Sequence, residues 1–179
     1  RIDVVADVSY PFPVTVIAEL LGVPEEDRHY LRPWSHDITA MYELDHTPEQ
    51  ARRAVQAATE FADYLRDLAR ERKRAPKDDL ITGLVQAEEA GDRLTEDELI
   101  STCILLLNAG HEATVNVVGN GLLALFRHPD QLQKLIDDPA LVRTAIEELM
   151  RYDTPLQLFR RWMLEDLTYN GHSFKKGDQ

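Results

Sequence analysis

The sequence predicts a mainly α-helical protein with a small β-hairpin near its C-terminal end. The first observation is the stretch from residue 103 to residue 126, which is apolar on nearly every side and is typical of one long helix through the middle of a molecule. The second is a series of helix start and stop signals around that stretch. The third is strand-like alternation after Pro155, with the pair Asn170 and Gly171 as a hairpin turn.

Helix start signals occur at several positions along the chain. Pro11 precedes an apolar helical pattern, and Thr47 with Pro48 forms an N-cap followed by proline at the first helical position. Thr95, followed three residues later by Glu98, is a capping box for the central helix. The predicted helices span residues 14–21, 25–41, 47–75, 78–90, 95–128, 129–137 and 141–152. Residues 156–163 and 167–174 are predicted strands, and residues 1–9 fit a short strand or the tail of a helix.

Glycine and proline mark where the helices end or break. Gly22 ends the first helix, and the pair Gly91 and Asp92 ends the fourth. Pro33 lies near the first turns of the second helix, where a missing N–H predicts a break.

The third helix shows apolar residues at spacings of three and four, so it is predicted to bury one face only. These residues are Val55, Ala58, Phe61, Ala62, Leu65, Leu68 and Ala69. Basic residues follow at its C-terminal end, where cations interact favourably with the helix dipole. We interpret this basic group, formed by Arg66, Arg70, Arg72, Lys73 and Arg74, as solvated.

The composition excludes several classes of protein. With 20 Lys+Arg against 32 Asp+Glu, the formal net charge is −12, which argues against nucleic acid or an anionic membrane as partner. The single Cys103 permits no internal disulfide. Polar residues, including Asn108 and Asn116, interrupt the long apolar stretch, and residue 1 begins no charged-then-apolar leader, so we expect a soluble, cytoplasmic protein.

The centre of the long helix contains a glycine and an acid that an ordinary buried helix disfavours. Gly110 costs about 1 kcal/mol relative to alanine, and the buried Glu112 costs more unless it is paired or functional. A carboxylate beside a helix that can open locally suits proton delivery to a bound oxidant. The alternative is that Gly110, Gly119 and Gly121 only permit close helix packing and that Glu112 reaches a surface.

Other candidate groups have simpler explanations. His111 and Glu112 resemble the start of a zinc-protease motif, but Val115 stands where the second histidine would be needed, so the zinc hypothesis fails. Glu148 and Arg151 lie three residues apart and form an ion pair that is ordinarily surface decoration. Arg160 and Arg161 could bind a carboxylate or phosphate or could protect an edge strand, and Cys103 is expected to be a buried structural thiol.

In order and separation, these features resemble the bacterial cytochrome P-450 family, the heme-thiolate monooxygenases. PFPVTVIAELLGVPEEDR is similar to helix E and the turn into F, and DDLITGLVQAEEAGDRLTEDELI is similar to helix H and the entry to I. AGHEAT resembles the oxygen-activating part of helix I, and Glu148-x-x-Arg151 resembles the ExxR pair of helix K. RRWMLEDLTYNGHSFKKGDQ is similar to the strands that follow.

The resemblance implies a partial cytochrome P-450 fold over residues 1–179, from about helix E to the strands after K. It also implies a role for each site residue. Glu112, with Thr114, would serve proton delivery, and Ala109, Gly110 and Ala113 would border the heme. Glu148 and Arg151 would form a structural ion pair behind it, and Arg161 would hold a heme propionate.

Two departures from the family pattern affect what we expect of this chain. An alcohol commonly follows the acid, but Ala113 holds that position, and Thr114 is rotated about 100° around the helix. We therefore hypothesise that a substrate hydroxyl or an ordered water completes the relay. The family's cysteine ligand lies in a loop after helix K, and Cys103 in mid-helix is a poor substitute. The chain alone is therefore expected to be an inactive fragment with no metal ligand of its own.

The function that follows is hydroxylation of a small or medium apolar metabolite, a polyketide or terpene for example. The reaction would use heme, O2 and two electrons from a ferredoxin-type donor. The alternative is a heme-free helical binding or regulatory domain on the same scaffold. Without the rest of the heme enclosure, the isolated chain is expected to expose apolar surface and to self-associate.

Overall fold

The computed structural model describes residues 1–43, 45–89, 94–159 and 161–178, and it is built almost entirely from helices. Seven α-helices are defined in this part of the chain, together with one short hairpin. The helices are α1 (Pro11–Leu21), α2 (Arg28–Thr39), α3 (Pro48–Arg74), α4 (Leu80–Glu89), α5 (Glu96–Arg127), α6 (Pro129–Asp137) and α7 (Val142–Tyr152). The strands β1 (Leu167–Tyr169) and β2 (His172–Phe174) follow. The predicted mainly α-helical fold is therefore confirmed.

Residues 5–9 form a helical turn, which agrees with the second of the two predictions for residues 1–9, the tail of a helix. A π-helical turn over Val5–Ser9 continues through Tyr10 into α1. The Asp3 carboxylate accepts hydrogen bonds from the amides of Val5 and Ala6, both at 3.0 Å, so it satisfies the first free N–H groups of the turn.

The predicted N-caps are present. The hydroxyls of Thr47 and Thr95 each accept a hydrogen bond from the amide of the third residue of the helix they begin. The side chains of Gln50 and Glu98 in turn accept hydrogen bonds from the amides of Thr47 and Thr95, which completes two capping boxes. Asp79 accepts a bond of 2.8 Å from the amide of Thr82 and so caps α4. The predicted end of α4 at residues 90–92 lies outside the described residues.

The predicted break at Pro33 is wrong, because α2 runs through it. Short 3-10 turns at Glu25–Asp27 and Ala40–Tyr42 flank α2, so the helical region nearly matches the predicted 25–41. Leu31 and Ser35 are fully buried on either side of the proline, and α2 packs against both α3 and α5. This burial stabilises the helix although Pro33 donates no backbone hydrogen bond.

The buried face of α3 is displaced from the one that the sequence predicted. Phe61, Leu65 and Leu68 are buried as expected, but Val55 is 68% exposed and Ala54 is buried in its place. Arg72, assigned to a solvated basic end, is also buried. The reason is the direction of the packing partners, since α2, α4 and α5 all lie on that side of α3.

The core lies between α1, α2, α3, α4 and the N-terminal half of α5. Leu21, Phe61, Ile81, Cys103 and Leu107 are among its members with almost no exposed surface. By contrast, α6 and α7 contain no buried residue. Leu123 and Phe126 in the C-terminal half of α5 are exposed, so the central helix runs through the core over its first half only.

The hairpin was predicted in the right place, but the strand before it was not. Leu167 pairs with Phe174 and Tyr169 with His172 across a turn in which Asn170 and Gly171 have φ values of 49° and 80°. The described residues of the range 156–163 contain no strand, and Arg160 lies outside them. Met163 donates a backbone hydrogen bond to the Asp178 carbonyl and accepts one from the Gly177 amide. Short-range pairing formed the hairpin, whereas a strand over 156–163 would need a longer-range partner.

Candidate active site

Five of the predicted site residues, Ala109, Gly110, Glu112, Ala113 and Thr114, lie on α5, which is continuous through Gly110. The local opening that we associated with this glycine is therefore not observed. A Cβ atom placed on Gly110 would lie 3.5 Å from the side chain of Ile17, an ordinary contact, so residue 110 packs towards α1. Regular backbone hydrogen bonds before and after Gly110, together with its packing against Ile17, keep this turn of α5 helical.

One face of α5 is open and largely apolar. Leu105, Ala109 and Leu123 lie on this face together with Asn116, and all four are exposed. Ala113 is half-buried at its edge. Two of these side chains are single methyl groups, which leave room for a flat apolar group to approach the helix closely. The open face therefore has room for a flat apolar group beside Ala109 and Ala113.

Glu112 lies between the open face and the packed face of the helix. Its side chain is half-buried, and its Oε1 atom is buried without a hydrogen-bond partner in the described part of the structure. A buried carboxylate oxygen without a partner costs free energy, and such groups concentrate at functional sites. The position suits an acid that exchanges protons with a molecule bound against α5.

Thr114 lies off the open face. It is exposed, and it is rotated by about 100° from Ala113 and about 140° from Ala109 on a regular helix. Its hydroxyl therefore does not project toward the face that carries the two alanines. A catalytic role for Thr114 stays a prediction.

His111 is a buried polar residue of this region that the sequence reasoning considered only as a zinc ligand. Its imidazole is fully buried, and its Nδ1 atom lies 3.4 Å from the hydroxyl oxygen of Ser35 on α2. The ring of Tyr10 contacts it edge to face at 5.8 Å between centroids. Burial lowers the pKa of His111, an effect that Arg32 reinforces and that Glu112 and the Tyr10 carbonyl oppose. The imidazole is therefore neutral at ordinary pH.

Glu148 and Arg151 form the predicted ion pair on α7. Two hydrogen bonds of 2.7 and 2.6 Å join the guanidinium to both carboxylate oxygens. Hydrogen bonding to Arg151 lowers the pKa of Glu148 and raises that of Arg151. The side chains are 57% and 70% exposed, so the pair contributes little to stability in this chain.

Helix α7 is attached to α5 by close packing and one polar contact. Gly121 lies against Leu149, and the Asn120 side chain donates a hydrogen bond of 3.3 Å to the carbonyl of Asp153. This attachment fixes the ion pair relative to the C-terminal half of α5.

Arg161 follows α7 in an irregular segment. Its guanidinium lies over the ring of Phe159 at 5.6 Å, and its side chain is exposed. Among the described residues, no group of three or more His, Cys, Asp and Glu is arranged to hold a metal ion.

Cys103 is a buried thiol, as predicted. It has no exposed surface, and burial raises its pKa to about 11. It therefore stays protonated at neutral pH and does not offer the thiolate that binds heme iron.

In the described part of the chain, none of the helices is long and apolar enough to cross a bilayer.

Comparison with known proteins gives consistent matches. The family model for cytochrome P-450 matches residues 28–179. The polyketide biosynthesis cytochrome P-450 PksS of Bacillus subtilis is 42% identical over 99% of this chain and 43% of its own length. The vitamin D(3) 25-hydroxylase of Pseudonocardia autotrophica is 41% identical over 99% of this chain and 43% of its own length.

The fold comparison agrees. CYP164A2 of Mycobacterium smegmatis, solved with econazole bound, superposes with a TM-score of 0.90 at 43% identity, over 99% of this chain and 46% of that one. The chain thus spans less than half the length of the relatives it matches.

Proposed function

The chain belongs to the cytochrome P-450 family, and we propose that α5 forms the oxygen-side wall of the active site of a heme-dependent monooxygenase. When bound, heme supplies the chemistry by which O2 and two electrons insert one oxygen atom into a substrate. The observation that carries the proposal is the buried, unpartnered carboxylate oxygen of Glu112 beside an open apolar face.

The open face of α5 orients the cofactor and the substrate. Ala109 and Ala113 let the porphyrin and a small apolar molecule approach the helix backbone, and Leu105 extends the apolar surface towards the N-terminal side. The side chains of Leu105, Ala109 and Ala113 carry no polar atoms, so this part of the open face excludes water when it is covered. An apolar, water-poor site strengthens the effect of the one acid beside it.

Glu112 is the residue that moves protons. Because its carboxylate is half-buried at the edge of the open face, it can take a proton from the solvent side and release it on the substrate side. Ala113 offers no hydroxyl to continue the path, so a substrate hydroxyl or an ordered water takes that role. The change Ala113→Thr tests this step, since unchanged coupling of NADPH use to product would count against it.

The remaining site residues act on the cofactor's surroundings. Arg161 would hold a heme propionate, because its guanidinium suits bidentate contact with a carboxylate. Glu148 and Arg151 would act as a structural ion pair within α7, and covering them would strengthen a bidentate pair that is exposed in this chain. The predicted part of Thr114 in proton delivery would be indirect, because its hydroxyl does not project towards the open face.

The substrate class is a small or medium apolar metabolite. Two relatives are named for polyketide biosynthesis and for hydroxylation of vitamin D(3). A ferredoxin-type protein in the cytoplasm supplies the electrons.

The apolar face also implies that the isolated chain self-associates, and light scattering that shows a clean monomer would contradict this expectation.

The proposal is tested by Glu112→Gln in the complete gene product with its electron donors. We expect hydroxylation to slow by about a hundredfold, the lower end of what a positioned acid contributes. The matched control is Glu96→Gln, the same change at an exposed position in the first turn of α5. The reduced CO difference spectrum should be the same in all three proteins. Equal rates for the two variants would contradict the role of Glu112.

A further inference from the structure

A fully buried histidine lies where three segments of the chain meet. His111 on α5 has no exposed surface, and neither has Ser35 on α2, whose hydroxyl oxygen lies 3.4 Å from the Nδ1 atom of the imidazole. Tyr10, directly before α1, provides an edge-to-face ring contact and a backbone carbonyl that hydrogen-bonds the imidazole. On a regular helix His111 points about 200° away from Ala109, so this junction lies on the packed side of α5 and not on the open face.

The surroundings of the ring favour its neutral form. Burial is the largest effect and lowers the pKa of His111, and the positive charge of Arg32 on α2 lowers it further. The Arg32 guanidinium lies 4.3 Å from the centre of the Tyr10 ring. The Glu112 carboxylate and the Tyr10 carbonyl act in the opposite direction without cancelling these effects. In the described part of the chain, these groups and the Tyr10 phenol are the charged and titratable groups that face the imidazole from α5, α2 and the segment before α1.

Helix α2 depends on this junction for its own stability. Pro33, in the middle of α2, removes one backbone hydrogen bond and disfavours a helix. Leu31 and Ser35, which are fully buried on either side of the proline, offset this cost through packing. Loss of the contact with α5 would therefore loosen α2, and local opening of this kind exposes backbone amides to hydrogen exchange.

We propose that His111 is a pH-sensitive latch: when the imidazole takes up a proton, the junction of α2 and Tyr10 with α5 opens and water reaches the ring. A charged imidazole has two N–H donors, but Nε2 has no hydrogen-bond partner in the described part of the structure. A buried charge without sufficient partners is costly, and opening replaces the missing partners with water. The latch concerns the packed side of α5, so it rests neither on heme nor on the proposed function.

Proton binding sets the direction and the steepness of the opening. In the open state a solvated histidine has a pKa of about 6.5, and in the closed state burial lowers the pKa of His111. The closed state is therefore most stable above about pH 6.5, and it loses this advantage as the pH falls towards the closed-state pKa. Because opening takes up one proton, the opening constant rises by up to about tenfold for each pH unit in this range.

The first test is hydrogen exchange at the backbone amides of α2 in the complete protein, measured by mass spectrometry between about pH 7 and about pH 5. After correction for the pH dependence of unprotected amides, the protection of α2 should fall by up to about tenfold per pH unit below about pH 6.5, while that of α4 stays constant. The change His111→Gln should remove this pH dependence. The matched control is His36→Gln, an exposed histidine on α2, which should keep it.

Three results of the exchange measurement would overturn the proposal. They are protection of α2 that does not change with pH, an equal loss of protection in α4, and the same pH dependence in His111→Gln as in wild type.

The second test leaves His111 in place, so it remains decisive if His111→Gln fails to fold. Arg32 is exposed, and Arg32→Gln removes the cation that disfavours charge on the imidazole. At low ionic strength, the loss of α2 protection should begin at a higher pH than in wild type. The control Arg52→Gln removes an exposed arginine on α3 and should not move the transition. No shift in Arg32→Gln, or a shift to lower pH, would overturn the proposal.

The third test follows the proton itself by NMR of histidine-labelled complete protein. The signal of His111 is identified by its loss in His111→Gln. We expect the imidazole to titrate over the same pH range in which α2 loses protection. An imidazole that takes up its proton while α2 remains protected would overturn the proposal.

Discussion

Replacing Arg72 by methionine should destabilise the protein by about 3 kcal/mol, at the lower end of the range for breaking a buried ion pair. The Arg72 side chain is 1% exposed and the Asp79 side chain is 4% exposed. The Arg72 guanidinium donates to Asp79 Oδ2 at 2.6 Å, to the Gly22 carbonyl at 2.6 Å and to Glu71 Oε1 at 2.8 Å. The variant leaves a buried carboxylate and a buried carbonyl without these donors. The amide of Thr82 still bonds Asp79, so we choose the lower value.

The assay is reversible urea unfolding of the complete gene product. The matched control is Arg70→Met on the same helix, where the pair with Asp67 is 57% and 77% exposed and should contribute about 0.5 kcal/mol. An equal decrease in the free energy of unfolding in the two variants would refute the assignment of Arg72 to the core. A double variant that also replaces Asp79 by leucine should recover part of the loss, because no buried charge remains.

The same pair predicts a pH dependence. Burial, the largest effect, raises the pKa of Asp79, but hydrogen bonds from Arg72 and Thr82 outweigh it and the pKa lies below its usual value. A lowered pKa in the folded state stabilises the protein above the unfolded-state pKa, and this contribution is lost as the pH falls through the folded-state value. The difference between wild type and Arg72→Met should therefore shrink on acidification. A difference that grows at low pH would contradict the sign.

Two further substitutions test the framework around the site. Gly121→Val should destabilise the protein by about 1–3 kcal/mol, because a Cβ at residue 121 already lies 3.0 Å from Leu149 Cδ1; thermal unfolding that matches wild type would show that α5 and α7 can separate freely. Thr95→Ala should cost about 1 kcal/mol by removing the capping box with Glu98, and urea unfolding with no loss would contradict the assigned start of α5.

Features that depend on neighbours in sequence were predicted correctly. The two capping boxes, the end of α1 at Gly22 and the turn at Asn170 and Gly171 each depend on side-chain chemistry within a few residues. Gly22 has a φ of 83°, and a Cβ there would overlap the Asp79 side chain, so only glycine fits. Local signals of this kind are complete in the sequence.

Features that depend on distant partners were not predictable in the same way. The buried position of Arg72 requires Gly22, fifty residues earlier, and the burial of Ala54 instead of Val55 follows from where α2 lies. The continuity of α2 through Pro33 likewise comes from packing on α3 and α5. Residues 156–163 alternate like a strand, but strand formation needs a partner.

The site residues show the same difference between local signals and signals that depend on distant partners. Glu112 and Gly110 attracted notice because each disfavours a buried helix, which is a local property. The importance of His111 comes from Ser35, seventy-six residues away, and from Tyr10, so no spacing within the motif indicates it. A histidine directly before a buried acid was the only sequence signal, and it suggested a zinc site that the chain does not support.

The central claim is that this chain forms part of a heme-dependent monooxygenase. The most direct measurement is the reduced CO difference spectrum of the complete gene product. We predict the red-shifted Soret band of heme with a cysteine thiolate ligand, at one heme per protein. A protein that folds and shows no Soret absorbance would contradict the claim and would favour a heme-free binding or regulatory domain on the same scaffold.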